Sequence, residues 1–356
     1  MVLGDHGAVA ATLDGFALRQ AERGPWPLMV ANASGRIDGL LLDLTKDQGQ
    51  RLVFFMAAYG HRPCAVQVQT AQNRGPATAF GTSGPGSGPW DAGDWHGRFA
   101  AVTTAVAQDI MAWFGQVPPH EIAPRLNLML VRAASRLRAS DPAPTSLRHH
   151  AGLADVVLAA RRLPYAQFFA VEDYDIAWRR FDGAMNPSAS RSAFIVGDAV
   201  TVLPYDPVRD RVLVIEQFRA GPHARGAAQA WSIEAIAGRI DPGETPEQAG
   251  RREAVEEAGL VLTALLPVAC YYPSPGAVSE YLYSYVALTD LPDGSAGVFG
   301  LAEEAEDIKG HLLPFERLMG LLASGEINNA PLILTALWLQ RERATLRKDG
   351  QIAHSK

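Results

Sequence analysis

Three glutamates, Glu253, Glu256 and Glu257, fall within five consecutive positions of this sequence. On a helix the spacing i, i+3, i+4 sets their carboxylates on one face within a turn. Like charges this close repel, so a counter-charge is required. Both the neighbouring Arg252 and a hard divalent cation with oxygen ligands qualify. The flanking residues supply the helix itself. Thr245-Pro246-Glu247-Gln248 is a capping box with proline at the first helical position, and Gly259 is placed to end the helix in a left-handed conformation. The expected helix runs from about residue 246 to 258. Most glutamate-rich turns are solvated acidic faces, but few have start and stop signals so placed.

Residues 238–260 read GRIDPGETPEQAGRREAVEEAGL. With Gly238, Glu244, Arg252, Glu253, Glu256, Glu257, Gly259 and Leu260 at their spacings, the stretch resembles the signature of the Nudix hydrolases. Ala254 is smaller than the usual aliphatic residue there, which affects packing only. The resemblance implies a sandwich of helices on a mixed sheet and a Mg²⁺ site, with Mn²⁺ as a substitute. It further implies Glu253 and Glu257 as principal ligands, Glu256 assisting and Ala237 contributing its carbonyl. Glu244 and Arg252 would hold the helix and orient the carboxylates. A cation beside a diphosphate neutralises charge, orients the bridging oxygens and acidifies the attacking water.

The similarity extends over about residues 155–345. LPYDPVRDRVLVIEQFR before the box, and YYPSPGAVSEYLYSYVAL and GLAEEAEDI after it, resemble the bacterial ADP-ribose diphosphatases, as does Pro275, 15 residues beyond Leu260. That resemblance implies ADP-ribose as substrate and a loop glutamate as base. Glu304 would be the base and Glu306 a further metal ligand, with Glu303 one register away. Arg219 would bind phosphate, Ser274 and Glu280 would line the ribose side, and Phe168 and Arg191 would face adenine across a domain-swapped homodimer. Another nucleotide sugar or dinucleotide, or a Nudix module that binds without cleaving, are the alternatives.

The 356 residues are enough for two domains. A hydrophobic content of 48%, a charged content of 20% and a net charge of −6 are those of a globular protein without the positive field that a nucleic acid needs. Cys64 and Cys270 offer no disulfide framework and no thiolate metal site. Neither a signal sequence nor a membrane-spanning apolar run is expected, so the expected location is the cytoplasm. Strands are expected over 36–44, 64–70 and 77–80, a glycine-rich loop over 81–93, and helices over about 95–114 and 120–138. ASDPAPTSLRHH, residues 139–150, reads as a linker, with His149 and His150 as solvated loop residues. Domains are therefore expected over 1–138 and 151–350. In the second, strands are expected over 168–178, 193–203, 211–217, 261–272 and 280–288, with a last helix over 330–344. The fold class is α+β.

LDGFALRQAERGPWPLMV, SGRIDGLLLDLTKDQGQRLVFFMAAYGHRPCAVQVQT and ATAFG resemble the gamma-glutamylcyclotransferase-like fold, a mixed β-barrel with helices. That family uses an N-terminal Tyr-Gly-small-Leu loop and a glutamate as acid and base. The sequence begins at MVLG, past where the loop is expected, and Met56 stands where the glutamate is expected. Without a proton carrier the first domain is expected to be an accessory one that does not perform that reaction. The pairing of the two domains resembles that of proteins associated with tellurite resistance.

Overall fold

Alternation along two strands fixes the centre of the C-terminal half. In β9 (Ala199–Asp206) and β10 (Arg211–Phe218), Val200, Val202, Leu213 and Ile215 point to one face, while Leu203, Tyr205, Val212 and Val214 point to the other. All eight are fully buried, so helices must cover both faces. The computed structural model describes residues 2–21, 26–81, 86–301 and 305–354. It divides into two units, Met1–Pro144 and Thr145–Lys356.

In the N-terminal unit β1 (Gly7–Ala21) and β2 (Pro27–Asp43) form a long hairpin, which α1 (Lys46–Ala58) follows. Next come β3 (Arg62–Thr70), β4 (Arg74–Gly81), β5 (Gly86–Pro89), α2 (Ala92–Met111) and α3 (Leu126–Arg138). The sheet order is β2-β1-β3-β4, with β5 on β1. Phe54 of α1, Val102, Val106 and Ile110 of α2, and Met129, Leu130 and Ala133 of α3 share one core. Two expectations need correction. The loop expected over 81–93 contains β5, which pairs with β1 through Arg19 and Ala21. The helix expected from residue 120 starts at Leu126, because Pro119 and Pro124 cannot donate a backbone hydrogen bond and limit 119–125 to two single 3₁₀ turns.

The C-terminal unit opens with β6 (Val156–Ala166), β7 (Ala170–Trp178) and β8 (Ala189–Ile195), a three-stranded antiparallel sheet. After β9, β10 and the short α4 (Ala220–Ala224) come β11 (Trp231–Glu234), β12 (Ile236–Arg239), α5 (Pro246–Ala258), β13 (Ala264–Tyr271) and β14 (Leu282–Leu288). The chain ends with β15 (Val298–Phe299), β16 (Ile308–Pro314), α6 (Phe315–Ser324) and α7 (Ala330–His354). Eight strands form the main sheet, in the order β13-β14-β9-β10-β16-β15 with β11 on β10 and β12 on β9. It is mixed, because β14 and β9 run parallel and the other pairs antiparallel. Helix α5 packs on one face through Ala249, Ala254 and Ala258. On the other, α6 and α7 pack through Phe315, Leu318, Leu332 and Leu339.

The strand expected over 193–203 is two strands in different sheets. Between them Val196 N–H donates to Ser279 Oγ at 3.0 Å and Asp198 C=O accepts from Ile240 N–H at 3.1 Å, so the chain turns from one sheet to the other. Helix α7 runs ten residues past the expected end at 344. Its apolar pattern fades there, but Arg343 and Arg347 bind the carboxylate of Asp210, which sits in a left-handed turn at φ 59°. Among the described residues no helix is long and apolar enough to cross a membrane.

The start of α5 depends on Thr245, whose Oγ1 accepts from Gln248 N–H at 3.2 Å while Gln248 Oε1 accepts from Thr245 N–H at 2.9 Å. Thr245→Ala is expected to destabilise the unit by about 1 kcal/mol. Differential scanning calorimetry should show a melting temperature lower by roughly 2–4 °C.

Candidate active site

Helix α5 spans residues 246–258, as its end signals require, and Gly259 closes it at φ 63°. Its acidic face turns toward β12 and the turn that follows. Glu257 is 2% exposed, and its Oε2 accepts from Ala237 N–H at 2.9 Å. Gly238 lies against Glu253: a Cβ at this position would collide with the Glu253 carboxylate, so only glycine lets helix and strand approach.

Arg252 ties the cluster together. Its Nη1 donates to Glu253 Oε1 at 2.7 Å and to Glu256 Oε2 at 2.9 Å. Its Nε donates to Glu244 Oε1 at 3.0 Å, and its Nη2 to Glu244 Oε2 at 3.1 Å and to the carbonyl of Arg239 at 2.9 Å. One guanidinium thus joins three carboxylates and the end of β12, a use of its forked geometry that a lysine cannot match. Burial works against its charge, yet Glu244 and Glu253 outweigh that and keep it protonated.

The acids pay electrostatically for this crowding. Burial, opposed by Arg252 and reinforced by Glu256 and Glu306, pushes Glu253 up to about 7. Burial also pushes Glu257 up to about 8, against the Ala237 N–H and with Glu253 and Glu306 adding to the rise. Glu306 therefore stands close enough to be felt by both. It is anchored by Leu301, whose N–H donates to Glu306 Oε2 at 3.2 Å, and the backbone beside it needs Gly300 at φ 107°. Among the described residues no three acidic, histidine or cysteine side chains already converge as a ligand set would. The donor chemistry nevertheless fits a hard divalent cation: buried carboxylates, with one arginine shared among them, on a face that another acid approaches.

The other expected residues fall into two groups. Arg219 lies at the end of β10 beside the cluster, with Glu257 and Glu306 both acting on it. Its Nη2 donates to Glu234 Oε2 at 2.7 Å. Burial raises Glu280, and Arg219 and Arg239 oppose the rise, which puts Glu280 on the same side. Ser274 contributes its carbonyl to the turn that carries Ala277 and Val278. Within one chain Phe168 and Arg191 lie apart. Arg191 stacks on Trp178 at 5.5 Å, and it is Arg239 that covers Phe168, at 4.2 Å. The register of β7 and β8 pairs Arg191 with Tyr174, away from Phe168 at the far end of that sheet. Glu304 and Glu303 lie outside the described residues.

Sequence reasoning missed Glu234 and Arg239. Glu234 shows itself only once β10 and β11 are paired, with Ile215 opposite Glu234. Arg239 is inside the quoted box, but its spacing does not reveal that its side chain reaches Phe168.

A model of the NUDIX domain matches residues 196–335. The ADP-ribose pyrophosphatase of Escherichia coli strain K12 is 37% identical over 206 residues, 58% of this chain and 98% of that protein. That of Haemophilus influenzae is 31% identical over 201 residues, covering 56% and 92%. The GDP-mannose pyrophosphatase of Salmonella paratyphi B is 32% identical over 150 residues, covering 42% and 77%.

Because burial raises Glu253 and Glu257, the folded state takes up their protons more readily than the unfolded state. Their contribution to stability is present at low pH and lost as pH rises through about 7 to 8. In EDTA the melting temperature should fall between about pH 5 and pH 9, and a divalent cation should cancel the fall at the alkaline end. A melting temperature in EDTA that holds level or rises across this window would contradict the electrostatics described.

Proposed function

Since the chain belongs to the Nudix family, we propose that its C-terminal unit hydrolyses the diphosphate of ADP-ribose to AMP and ribose 5-phosphate with Mg²⁺. The observation that carries this reading is the Arg252-organised carboxylate cluster with Arg219 and Glu306 beside it. The choice of substrate is supported by relatives named ADP-ribose pyrophosphatase that are covered almost end to end. In this reading Glu253 and Glu257 would hold the cation, Glu256 and the Ala237 carbonyl would assist, and Glu306 would add a further oxygen. A cation there would neutralise the diphosphate and acidify the attacking water.

The remaining steps belong to this chain's own residues. Water attacks one phosphorus, the bond to the bridging oxygen breaks, and Glu304 takes the proton of the water. Arg219, now bonded to Glu234, exchanges or shares that partner to meet a phosphate oxygen. Glu280 and Ser274 face the ribose. Phe168, under the guanidinium of Arg239, offers a stacking surface for adenine. A GDP-sugar is the second reading, favoured by the relative named GDP-mannose pyrophosphatase.

Chromatography of the products from ADP-ribose and GDP-mannose, ranked by kcat/KM, separates the two. The expected result is AMP from ADP-ribose at the higher kcat/KM, with Glu257→Gln lowering kcat by at least about a hundredfold. Binding of ADP-ribose without product would mark a non-catalytic module and overturn the proposal.

The sheet of β6, β7 and β8 leaves apolar side chains exposed on both faces, among them Val156, Val157, Leu158 and Phe194. We take this as support for a domain-swapped homodimer. Light scattering should then give twice the chain mass of 38.2 kDa, and a monomer would refute it.

A further inference from the structure

Arg239 follows Gly238 directly, at a position that the signature of the box leaves open. Its backbone belongs to the carboxylate cluster: its carbonyl accepts from Arg252 Nη2 at 2.9 Å, and β12 pairs it with Ala199 of β9. Its side chain leads out of the main sheet, and the guanidinium carbon lies 4.2 Å from the centre of the Phe168 ring. One residue thus spans the distance from the cluster to an aromatic face, a reach comparable to that of a ribose.

Phe168 is held and yet open. Its ring meets Phe169 edge-on at 4.7 Å, and Phe169 lies 4.7 Å from Phe194. Phe194 is tied in turn to the segment that carries Ser274 and Glu280, since its N–H donates to the Ala277 carbonyl at 2.7 Å and its own carbonyl accepts from Ser279 N–H at 3.0 Å. With that support Phe168 remains 57% exposed, far more than a ring kept for packing. Arg239 is half-buried, and Glu280 feels both Arg239 and Arg219. Ring and guanidinium are therefore accessible beside the residues read above as meeting ribose and phosphate.

A heterocyclic base has two π-faces, and aromatic rings and guanidinium planes are the side-chain groups that stack on them. Here the guanidinium rests on the ring itself. A base enters between them once the guanidinium lifts by about one ring thickness, roughly 3.5 Å. That is a movement of the side chain alone, because the backbone of Arg239 is fixed by its strand and by Arg252. Stacking strengthens with overlap, so the two fused rings of a purine gain more from this pair than the single ring of a pyrimidine.

We propose, on the reading of the substrate as a nucleoside diphosphate, that Arg239 closes over a purine base stacked on Phe168 and so makes this site prefer purine to pyrimidine nucleotides.

Calorimetric titration of the full chain with ADP, GDP, UDP and CDP in the presence of Mg²⁺ tests this without requiring turnover of ADP-ribose. ADP and GDP should bind about threefold to tenfold more tightly than UDP and CDP. Arg239→Ala should bring that ratio close to one, and so should Arg239→Lys, which keeps the charge and removes the flat cation. Phe168→Leu, on the other side of the stack, should do the same and decides where an Arg239 variant does not fold. Equal binding of the four nucleotides by the unaltered chain would overturn the proposal, as would no measurable binding of any. So would an Arg239→Ala variant that weakens all four alike and an Arg239→Lys variant that restores them, because the arginine would then act on the diphosphate as a point charge. Hydrolysis of ADP-ribose without a purine preference sinks only the clamp, and a purine preference without hydrolysis sinks only the reaction.

Discussion

Putting three carboxylates on one partly buried turn of helix is the constraint that organises the C-terminal unit. Arg252 answers it within the chain by bonding Glu244, Glu253 and Glu256 together with the Arg239 carbonyl. The rest of the unit holds this arrangement in place. Alternation in β9 and β10 builds a sheet buried on both faces, β12 pairs with β9, and α5 lies on it through three alanines. Gly238 permits the contact, since any side chain there would displace the Glu253 carboxylate. Arg252 alone leaves Glu253 and Glu257 with a raised affinity for protons. That residual cost of burial is what a divalent cation would relieve under the proposed function.

How much of this could be read beforehand follows from the range of the interactions. Helix α5 was legible to the residue because its capping box and left-handed glycine are local signals, and the face shared by the three glutamates was legible from the i, i+3, i+4 spacing. The long-range partners were not. Glu234 meets Arg219 across a strand pair, and Arg239 reaches Phe168 from another sheet. Neither contact leaves a trace in spacing. Residues 193–203 misled because their apolar run continues through the turn at Gly197 and Asp198, where two sheets part company. In the N-terminal unit α2 announced itself by periodicity, while β5, made only of glycine, serine and proline, looked like the loop its composition suggests.

The measurement that bears most directly on the central claim is calorimetric titration of the EDTA-treated protein with Mg²⁺ near neutral pH, repeated in buffers of different ionisation heat. If Glu253 and Glu257 wait partly protonated for a cation, binding should be saturable and release protons, so the apparent enthalpy should vary with the buffer. Absence of binding, or binding whose enthalpy does not depend on the buffer, would contradict the account.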